Sequence, residues 1–143
     1  MERDYHKRFS TRVDAWLDAG HGECVLRDDR CRVVVEATLR FREGDDYLQH
    51  AWVVMPNHVH ALVSLNSEAA LETVLGAWKS VSSRRIGKLI GRHGTLWQED
   101  YFDRLIRDAE HFGNVVRYIR RNPVKAKLRD GFTLYESEEV KGM

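Results

Sequence analysis

Two histidines separated by one residue are the first side chains in this sequence whose spacing permits chemistry. His58 and His60 stand in the stretch "WVVMPNHVHALV", where the other residues are mostly valine, alanine and leucine. Because side chains at i and i+2 of a strand point to the same side of a sheet, both imidazoles would project together. Such a pair can share one metal ion, although the pattern also fits two partly exposed histidines on a solvent-facing strand. A metal site therefore requires a third ligand from elsewhere in the chain.

A second polar group lies in "HFGNVVRYIRRNPVKAKL", near the C-terminus. Tyr118 and Asn122 are four residues apart, so they share one face of a helix. A tyrosine hydroxyl, with a usual pKa of about 10, needs an electrophile that a metal or cations have already polarised. A divalent ion held by His58, His60 and the Asn122 amide would polarise a phosphodiester while Tyr118 attacks in line. Three other interpretations stay open: Tyr118 lies at the edge of an amphipathic helix, Asn122 ends that helix, or the histidines hold structural zinc.

Three sequence blocks, in this order and spacing, carry a family resemblance. They are "AWVVMPNHVHALV", "WQEDYFDRLIRDAEHF" and "VVRYIRRNPVKAKL", which together fall within residues 47–129. The chain resembles the REP-associated tyrosine transposases, which are bacterial relatives of the single-tyrosine HUH transposases of insertion sequences. The resemblance implies an α+β, ferredoxin-like domain with an antiparallel sheet and helices packed on it, covering residues 1–143.

The same resemblance assigns roles to individual residues. His58 and His60 match the metal-binding pair on a central strand, Tyr118 matches the nucleophile, and Asn122 matches a polar residue that completes the metal shell. It implies cleavage and joining of single-stranded DNA near hairpins of palindromic repeats, with Mg²⁺ or Mn²⁺ and no nucleotide cofactor. The partner is then single-stranded DNA with hairpin-forming repeats, and the protein is a monomer or a homodimer. The alternative function is a truncated, non-catalytic nucleic-acid-binding module.

The elements that must position these residues follow from periodicity and capping signals. Helices are expected over residues 9–19, about 28–43 and 69–91, and a last helix should run from Asp108 to Arg121 or Asn122 and close at Pro123. Residues 47–55 and 58–65 predict an antiparallel hairpin around Pro56, and a short strand is expected near Phe102–Ile106. The helices are expected on one face of the sheet. Trp97 is interpreted as a packing residue.

One element of the family pattern is not recognisable in the sequence. Members usually begin with a strand of the "YFVTFRL" kind, whereas this chain opens with "MERDYHKRFSTRVDAWLDAGHGECVL". A sheet without that strand would expose backbone groups of its neighbours. We therefore expect that another segment fills the place, that a second chain supplies the strand, or that the gene product is truncated.

Positive charge is concentrated in the second half of the chain, although the formal net charge is only +1. Residues 76–129 carry 13 Lys and Arg against 5 Asp and Glu, whereas residues 1–75 carry 9 against 13. A local positive surface is sufficient for phosphate contacts, although a solvated basic helix face would give the same count. The residues expected to hold DNA backbone are Arg84, Arg85, Lys88, Arg120, Arg121 and Lys125.

Composition limits the remaining classes. With 143 residues, 43% hydrophobic and 31% charged, the chain has the composition of a globular domain rather than a disordered one. No apolar run approaches the roughly 20 residues that span a bilayer, and the N-terminus lacks an apolar signal region, so a cytoplasmic location is expected. Cys24 and Cys31 match neither a zinc nor a redox spacing and are expected to be reduced.

Overall fold

A five-stranded antiparallel sheet forms the centre of the molecule. The computed structural model describes residues 9–19, 24–66, 69–99 and 101–143 of the chain. The strands lie in the order β4-β1-β3-β2-β5, and each neighbouring pair is antiparallel. Their bounds are Thr11–Asp18 for β1, Tyr47–Met55 for β2, His58–Leu65 for β3, Phe102–Leu105 for β4 and Thr133–Glu136 for β5. The expected α+β fold with an antiparallel sheet is therefore confirmed.

The predicted hairpin is confirmed and supplies the middle of the sheet. Met55 pairs with His58 across a two-residue connection, and β3 has a neighbouring strand on each side. Every β3 residue after His58 is buried. A central strand has no free edge, so its side chains are held firmly by both neighbours.

The first strand, which the sequence did not reveal, is present as β1. The helix predicted for residues 9–19 is wrong, because Thr11–Asp18 is a strand between β3 and β4. Val13, Ala15 and Leu17 are buried on one side, and the residues between them face the other side. This alternation is the period of a strand. The apolar spacing also fits a helix, but the segment pairs with β3 and is therefore a strand. Another segment of the same chain thus fills the place that the sequence left vacant.

Four helices accompany the sheet in the part of the chain that the structure describes. They span Asp29–Arg40 (α1), Leu71–Ile90 (α2), Ala109–Lys125 (α3) and Glu138–Lys141 (α4). The side chains of Asp28 and Asp108 accept backbone N–H bonds at the starts of α1 and α3, and Asp108 is the residue from which the last helix was expected to run. Gly91 ends α2 with a φ of 66°, the left-handed conformation that glycine adopts without strain. The prediction that Pro123 closes the last helix is wrong, because α3 continues to Lys125.

The helices cover both faces of the sheet, so the expectation of a single helical face is wrong. One core joins β1, β2 and β3 to residues of α1 and α2, including Val35, Leu39, Leu75 and Trp78. The other core joins the alternate residues of β2 and β3 to α3 and α4. Because successive side chains of a strand face opposite sides, each central strand contributes to both cores.

The structure also contains a C-terminal unit that the sequence did not predict. Strand β5 pairs with β2, and Val140 of α4 is fully buried in the core beneath α3. A 3-10 turn at Val25–Arg27 precedes α1. Within the described residues, no helix has both the length and the apolar character needed to span a bilayer.

Candidate active site

His58 and His60 lie on the face of the sheet that α3 covers. In the β1–β3 register, Trp16 pairs with His60 and Asp18 pairs with His58. The Trp16 indole stacks on the His58 ring with centroids 4.2 Å apart, and the His60 ring is 5.1 Å from the same indole. Both imidazoles therefore project to the same side of the sheet, as predicted.

The His60 ring is oriented by a carboxylate from β1. His60 is 4% exposed, and its Nε2 forms a short hydrogen bond with Asp14. Asp14 also accepts a 2.9 Å hydrogen bond from Arg104 Nε. Burial acts to raise the pKa of Asp14, but the hydrogen bonds and charges of His60 and Arg104 outweigh it and hold that pKa below the usual value. An ionised Asp14 accepts the Nε2 proton and leaves the His60 Nδ1 lone pair unused.

The His58 ring is oriented by two asparagine side chains, and its other ring nitrogen, Nδ1, carries the proton. Its Nδ1 is 2.8 Å from Asn57 Oδ1, and its Nε2 is 3.3 Å from the amide nitrogen of Asn122. An amide oxygen only accepts, so Nδ1 carries the proton and Nε2 carries the lone pair. Burial and the neighbouring His60 lower the pKa of His58 to about 4, against an opposing effect of Asp18. His58 is therefore neutral near pH 7, as a metal ligand must be.

Tyr118 lies beside the histidines in the same chain. Its ring centroid is 5.4 Å from that of His60, in an edge-to-face arrangement, and the residue is 46% exposed. The ammonium group of Lys125 lies 5.1 Å from the centre of the Tyr118 ring. Because the neighbouring α3 residues Val115 and Ile119 are buried against the sheet, Tyr118 is held at the edge of the core and stays partly exposed to solvent. A phosphodiester can therefore approach this tyrosine.

The donor atoms fit a divalent cation with mixed nitrogen and oxygen ligands. His60 Nδ1 is buried and has no hydrogen-bond partner, and His58 Nε2 contacts only the Asn122 amide within the described residues. Rotation of that amide would present its oxygen in place of its nitrogen. No group of three His, Cys, Asp or Glu side chains within the described parts of the chain is arranged to hold a metal. The third ligand of such a site would therefore be the amide of Asn122.

Sequence reasoning missed Asp14 and Trp16, which hold the two imidazoles in place. Both residues were assigned to a helix, where their side chains would not line up with those of β3. The usable signal was the alternation in "RVDAWLD", where Val13, Ala15 and Leu17 point one way and the polar and aromatic residues point the other. Period-two alternation of this kind indicates a strand with two different faces.

The six basic residues expected to hold DNA are not on one surface. Arg84, Arg85 and Lys88 are exposed on α2, which packs on the opposite face of the sheet from α3. Arg121 and Lys125 are exposed on α3, near the candidate active site. The sixth residue, Arg120, is bonded inside the protein: its Nε and Nη2 donate to Glu136 at 2.6 and 3.0 Å. Two separate basic areas are thus available, one on each side of the sheet.

Trp97 and the cysteines have structural environments. Trp97 is buried, and its indole N–H donates a 2.8 Å hydrogen bond to Ser82, which confirms the packing interpretation. Trp97 also bridges to Ala19 at the end of β1. Cys24 is exposed, Cys31 is buried, and both are free thiols.

Comparison with known proteins places the chain in a family. The sequence model described as "Transposase IS200 like" matches residues 27–122, which include His58, His60, Tyr118 and Asn122. The chain belongs to the IS200-like transposase family. The comparison with curated proteins gave no match.

Two solved structures share the fold. A REP-associated tyrosine transposase bound to a REP hairpin superimposes with a TM-score of 0.64 at 20% identity, covering 83% of this chain and 69% of that one. A protein from Deinococcus radiodurans R1, provisionally described as a transposase, gives a TM-score of 0.55 at 19% identity, covering 82% of this chain and 90% of that one. At these identities the likeness concerns the fold.

Proposed function

We propose that this chain is a metal-dependent single-stranded DNA endonuclease and strand transferase that acts through a 5′-phosphotyrosine intermediate near palindromic-repeat hairpins. The observation that carries the proposal is the position of Tyr118, whose ring lies 5.4 Å from that of His60 within one chain. Membership of the IS200-like transposase family supports the reaction class. The hairpin bound by the structurally similar REP-associated transposase supports the substrate class.

In the proposed reaction, Tyr118 Oη attacks the scissile phosphorus in line with the 3′-oxygen of the preceding nucleotide. The bond from tyrosine oxygen to phosphorus forms, and the bond from phosphorus to the 3′-oxygen breaks. The tyrosine proton leaves to solvent, and the 3′-oxygen takes up a proton and departs as a hydroxyl. The reverse attack by another 3′-hydroxyl releases Tyr118 and joins the strands.

The residues around Tyr118 would bind and orient the phosphate. Mg²⁺ or Mn²⁺, when bound by His58, His60 and Asn122, would supply positive charge to the scissile phosphate. Lys125 and Arg121 add positive charge on the same helix, where they would contact neighbouring phosphates. The α2 residues Arg84, Arg85 and Lys88 would hold DNA backbone on the other side of the sheet.

A covalent-adduct assay tests the nucleophile. The protein is mixed with Mn²⁺ and a labelled single strand flanked by a repeat hairpin, and the products are separated under denaturing conditions. We expect a protein-linked label that disappears in Tyr118→Phe and persists in the matched control Tyr101→Phe. An adduct that persists in Tyr118→Phe would assign the reaction to another group. Binding without any adduct would instead support the non-catalytic nucleic-acid-binding module.

The metal requirement is tested with the same substrate. Chelation by EDTA should remove the adduct, and Mg²⁺ or Mn²⁺ should restore it. Zn²⁺ that survives dialysis and whose removal collapses thermal stability would indicate a structural zinc site instead. An adduct that forms at full yield in EDTA would refute the metal-dependent mechanism.

A further inference from the structure

A cleft of about 490 Å³ opens beside Tyr118, and most of its wall has no part in the proposed chemistry. Phe102 and Arg104 of β4, Arg107 and His111 at the start of α3, and Asn114 line it together with residues of the candidate active site. This volume lies within the usual range of small-ligand sites. We call it the nucleotide cleft.

One wall of the nucleotide cleft is aromatic. Phe102 is 60% exposed on the edge strand β4, and in the strand register it lies directly opposite Trp16. Trp16 in turn stacks on His58, so the exposed phenyl ring belongs to the same side of the sheet as the histidines. An exposed aromatic ring beside a positively charged site is the usual platform for a base of single-stranded nucleic acid.

The other wall offers hydrogen-bond donors. His111 is 6% exposed, and its Nδ1 accepts the backbone N–H of Arg107 at 3.0 Å. Its Nε2 therefore carries the ring proton, and this atom is buried with no partner in the described structure. The Arg107 residue is exposed, and no ion pair to it occurs among the described side chains. A base oxygen or ring nitrogen would satisfy the His111 donor, and a phosphate would pair with Arg107.

We propose that the nucleotide cleft binds one unstacked nucleotide next to the scissile phosphate. Its base stacks on Phe102, an acceptor atom of that base meets His111 Nε2, and a backbone phosphate lies near Arg107. The proposal rests on the proposed function, because Tyr118 fixes where the scissile phosphate lies. Only an unpaired nucleotide can present its base in this way, so the cleft would also explain a requirement for single-stranded substrate.

The experiment places the fluorescent base 2-aminopurine at one position after another along the single strand beside the hairpin. Binding is measured with the Tyr118→Phe protein, and the cleavage position is mapped separately with the unaltered protein. We expect quenching at a position adjacent to the cleavage site. Adding Phe102→Ala should abolish that quenching and weaken binding roughly five- to a hundredfold.

The matched control is Leu105→Ala, which removes an equally exposed side chain from the same strand. Leu105 is 65% exposed but, three residues along β4, it lies on the opposite face from Phe102. Thermal unfolding of both variants shows whether β4 is retained. Equal quenching and affinity in Phe102→Ala and Leu105→Ala would overturn the proposal, even if the adduct assay succeeds.

A second measurement examines the phosphate contact. Arg107→Gln should lower the slope of log affinity against log salt by about one, whereas Arg30→Gln on α1 should leave it unchanged. Equal slopes in the two variants would overturn the Arg107 contact. If no adduct forms but Phe102-dependent quenching is found, the nucleotide cleft stands as a binding site and the proposed catalytic function fails.

Discussion

Asp14 connects three parts of the candidate active site at the level of single side chains. It lies on β1, holds the Nε2 of His60 on β3, and accepts a hydrogen bond from Arg104 on β4. A carboxylate that holds the second nitrogen of a metal-binding histidine fixes both the tautomer and the orientation of the ring. Asp14 is therefore a positioning residue for the proposed metal site.

Replacement of Asp14 should weaken metal binding without removing a ligand. In Asp14→Asn the neutral amide is a weaker acceptor for the Nε2 proton than the carboxylate. The His60 tautomer in which Nδ1 carries the lone pair is then less favoured. We expect the affinity for Mn²⁺ to fall roughly 10- to 100-fold, measured by calorimetric titration without DNA. Asp103→Asn, on the adjacent strand β4 and exposed, is the control. Unchanged Mn²⁺ affinity in a folded Asp14→Asn protein would contradict the positioning role.

At this scale, sequence motifs singled out four side chains that the fold places close together, while their roles stay predictions. His58, His60, Tyr118 and Asn122 were singled out from "HVH" and "RYIRRNP", and the structure brings them together. Asp14 could not be found in the same way, because its importance depends on which residues of β1 face β3. That register follows from pairing between distant segments and is not contained in local spacing.

At the level of elements, the guanidinium of Arg120 links α3 to the C-terminal unit. It contacts both carboxylate oxygens of Glu136 on β5 and donates to backbone oxygens of Val140 and Met143. The side chains of Arg120 and Glu136 are 32% and 14% exposed, so this pair is shielded more than a surface ion pair. Helix α3, which carries Tyr118, is thus fixed through Arg120 as well as through its buried apolar residues.

Loss of this link should cost stability rather than DNA affinity. Arg120→Ala leaves the Glu136 carboxylate without its partner, and we expect the free energy of unfolding to fall by roughly 1.5–3 kcal/mol in urea denaturation. Arg121→Ala, one residue along and exposed, should change it by less than about 0.5 kcal/mol. The reverse should hold for DNA, with Arg121→Ala reducing salt-dependent binding more than Arg120→Ala. Equal stability of the two variants would show that the link is unimportant.

Most elements that the sequence predicted correctly have long apolar periods or clear caps. Helices α1, α2 and α3 and the β2–β3 hairpin belong to this group. The short strand expected near Phe102–Ile106 is also confirmed, as β4. Strand β1 was missed because its buried residues Val13 and Leu17, with Trp16, also fit a helical spacing, while Asp14 and Trp16 occupy the site face. Strand β5 and helix α4 have four residues each, and their identity depends on docking against β2 and α3. Local sequence carries little information about either case.

At the level of the whole molecule, the two faces of the sheet have different tasks. The α1–α2 face contains the larger apolar core, and the α3 face contains the candidate active site and the nucleotide cleft. Because β3 contributes Val59 and Ala61 to one face and His58 and His60 to the other, the core on one side holds the imidazoles rigid on the other. All the residues proposed for catalysis lie together within one chain.

A buried histidine on β2, which contacts the C-terminal helix α4, links the stability of the fold to pH. His50 on β2 lies within hydrogen-bond distance of Ser64, with its Nε2 2.6 Å from the hydroxyl oxygen, and its Nδ1 is 3.3 Å from Glu139 of α4. The order serine, histidine, carboxylate resembles a catalytic triad, but Ser64 is 2% exposed and cannot meet a substrate. The three residues therefore act as a polar clamp between the sheet and α4.

The pKa of His50 determines the pH at which this clamp weakens. Burial lowers that pKa below the ordinary 6.5, Glu139 opposes the shift, and Arg12 reinforces it. In the unfolded chain His50 takes up a proton as the pH falls below about 6.5, whereas in the folded protein it does so only at a lower pH. The free energy of unfolding therefore falls as the pH decreases. The contribution of His50 to the free energy of unfolding should be constant above about pH 7.5 and should decline from pH 6.5 to 5.

Chemical denaturation at pH 7.5 and at pH 5 measures this contribution. In His50→Gln the difference in unfolding free energy between the two pH values should be smaller than in the unaltered protein, because one titrating group has been removed. His93→Gln, which changes an exposed histidine in the loop after α2, should keep the full difference. The lowered pKa of His58 adds a pH dependence in the same window, but this contribution is common to all three proteins and does not affect their comparison. The lowered pKa values of Asp14 and Asp28 affect stability only near and below their usual range, well under pH 5. An identical pH dependence in His50→Gln and the unaltered protein would mean that the clamp does not titrate.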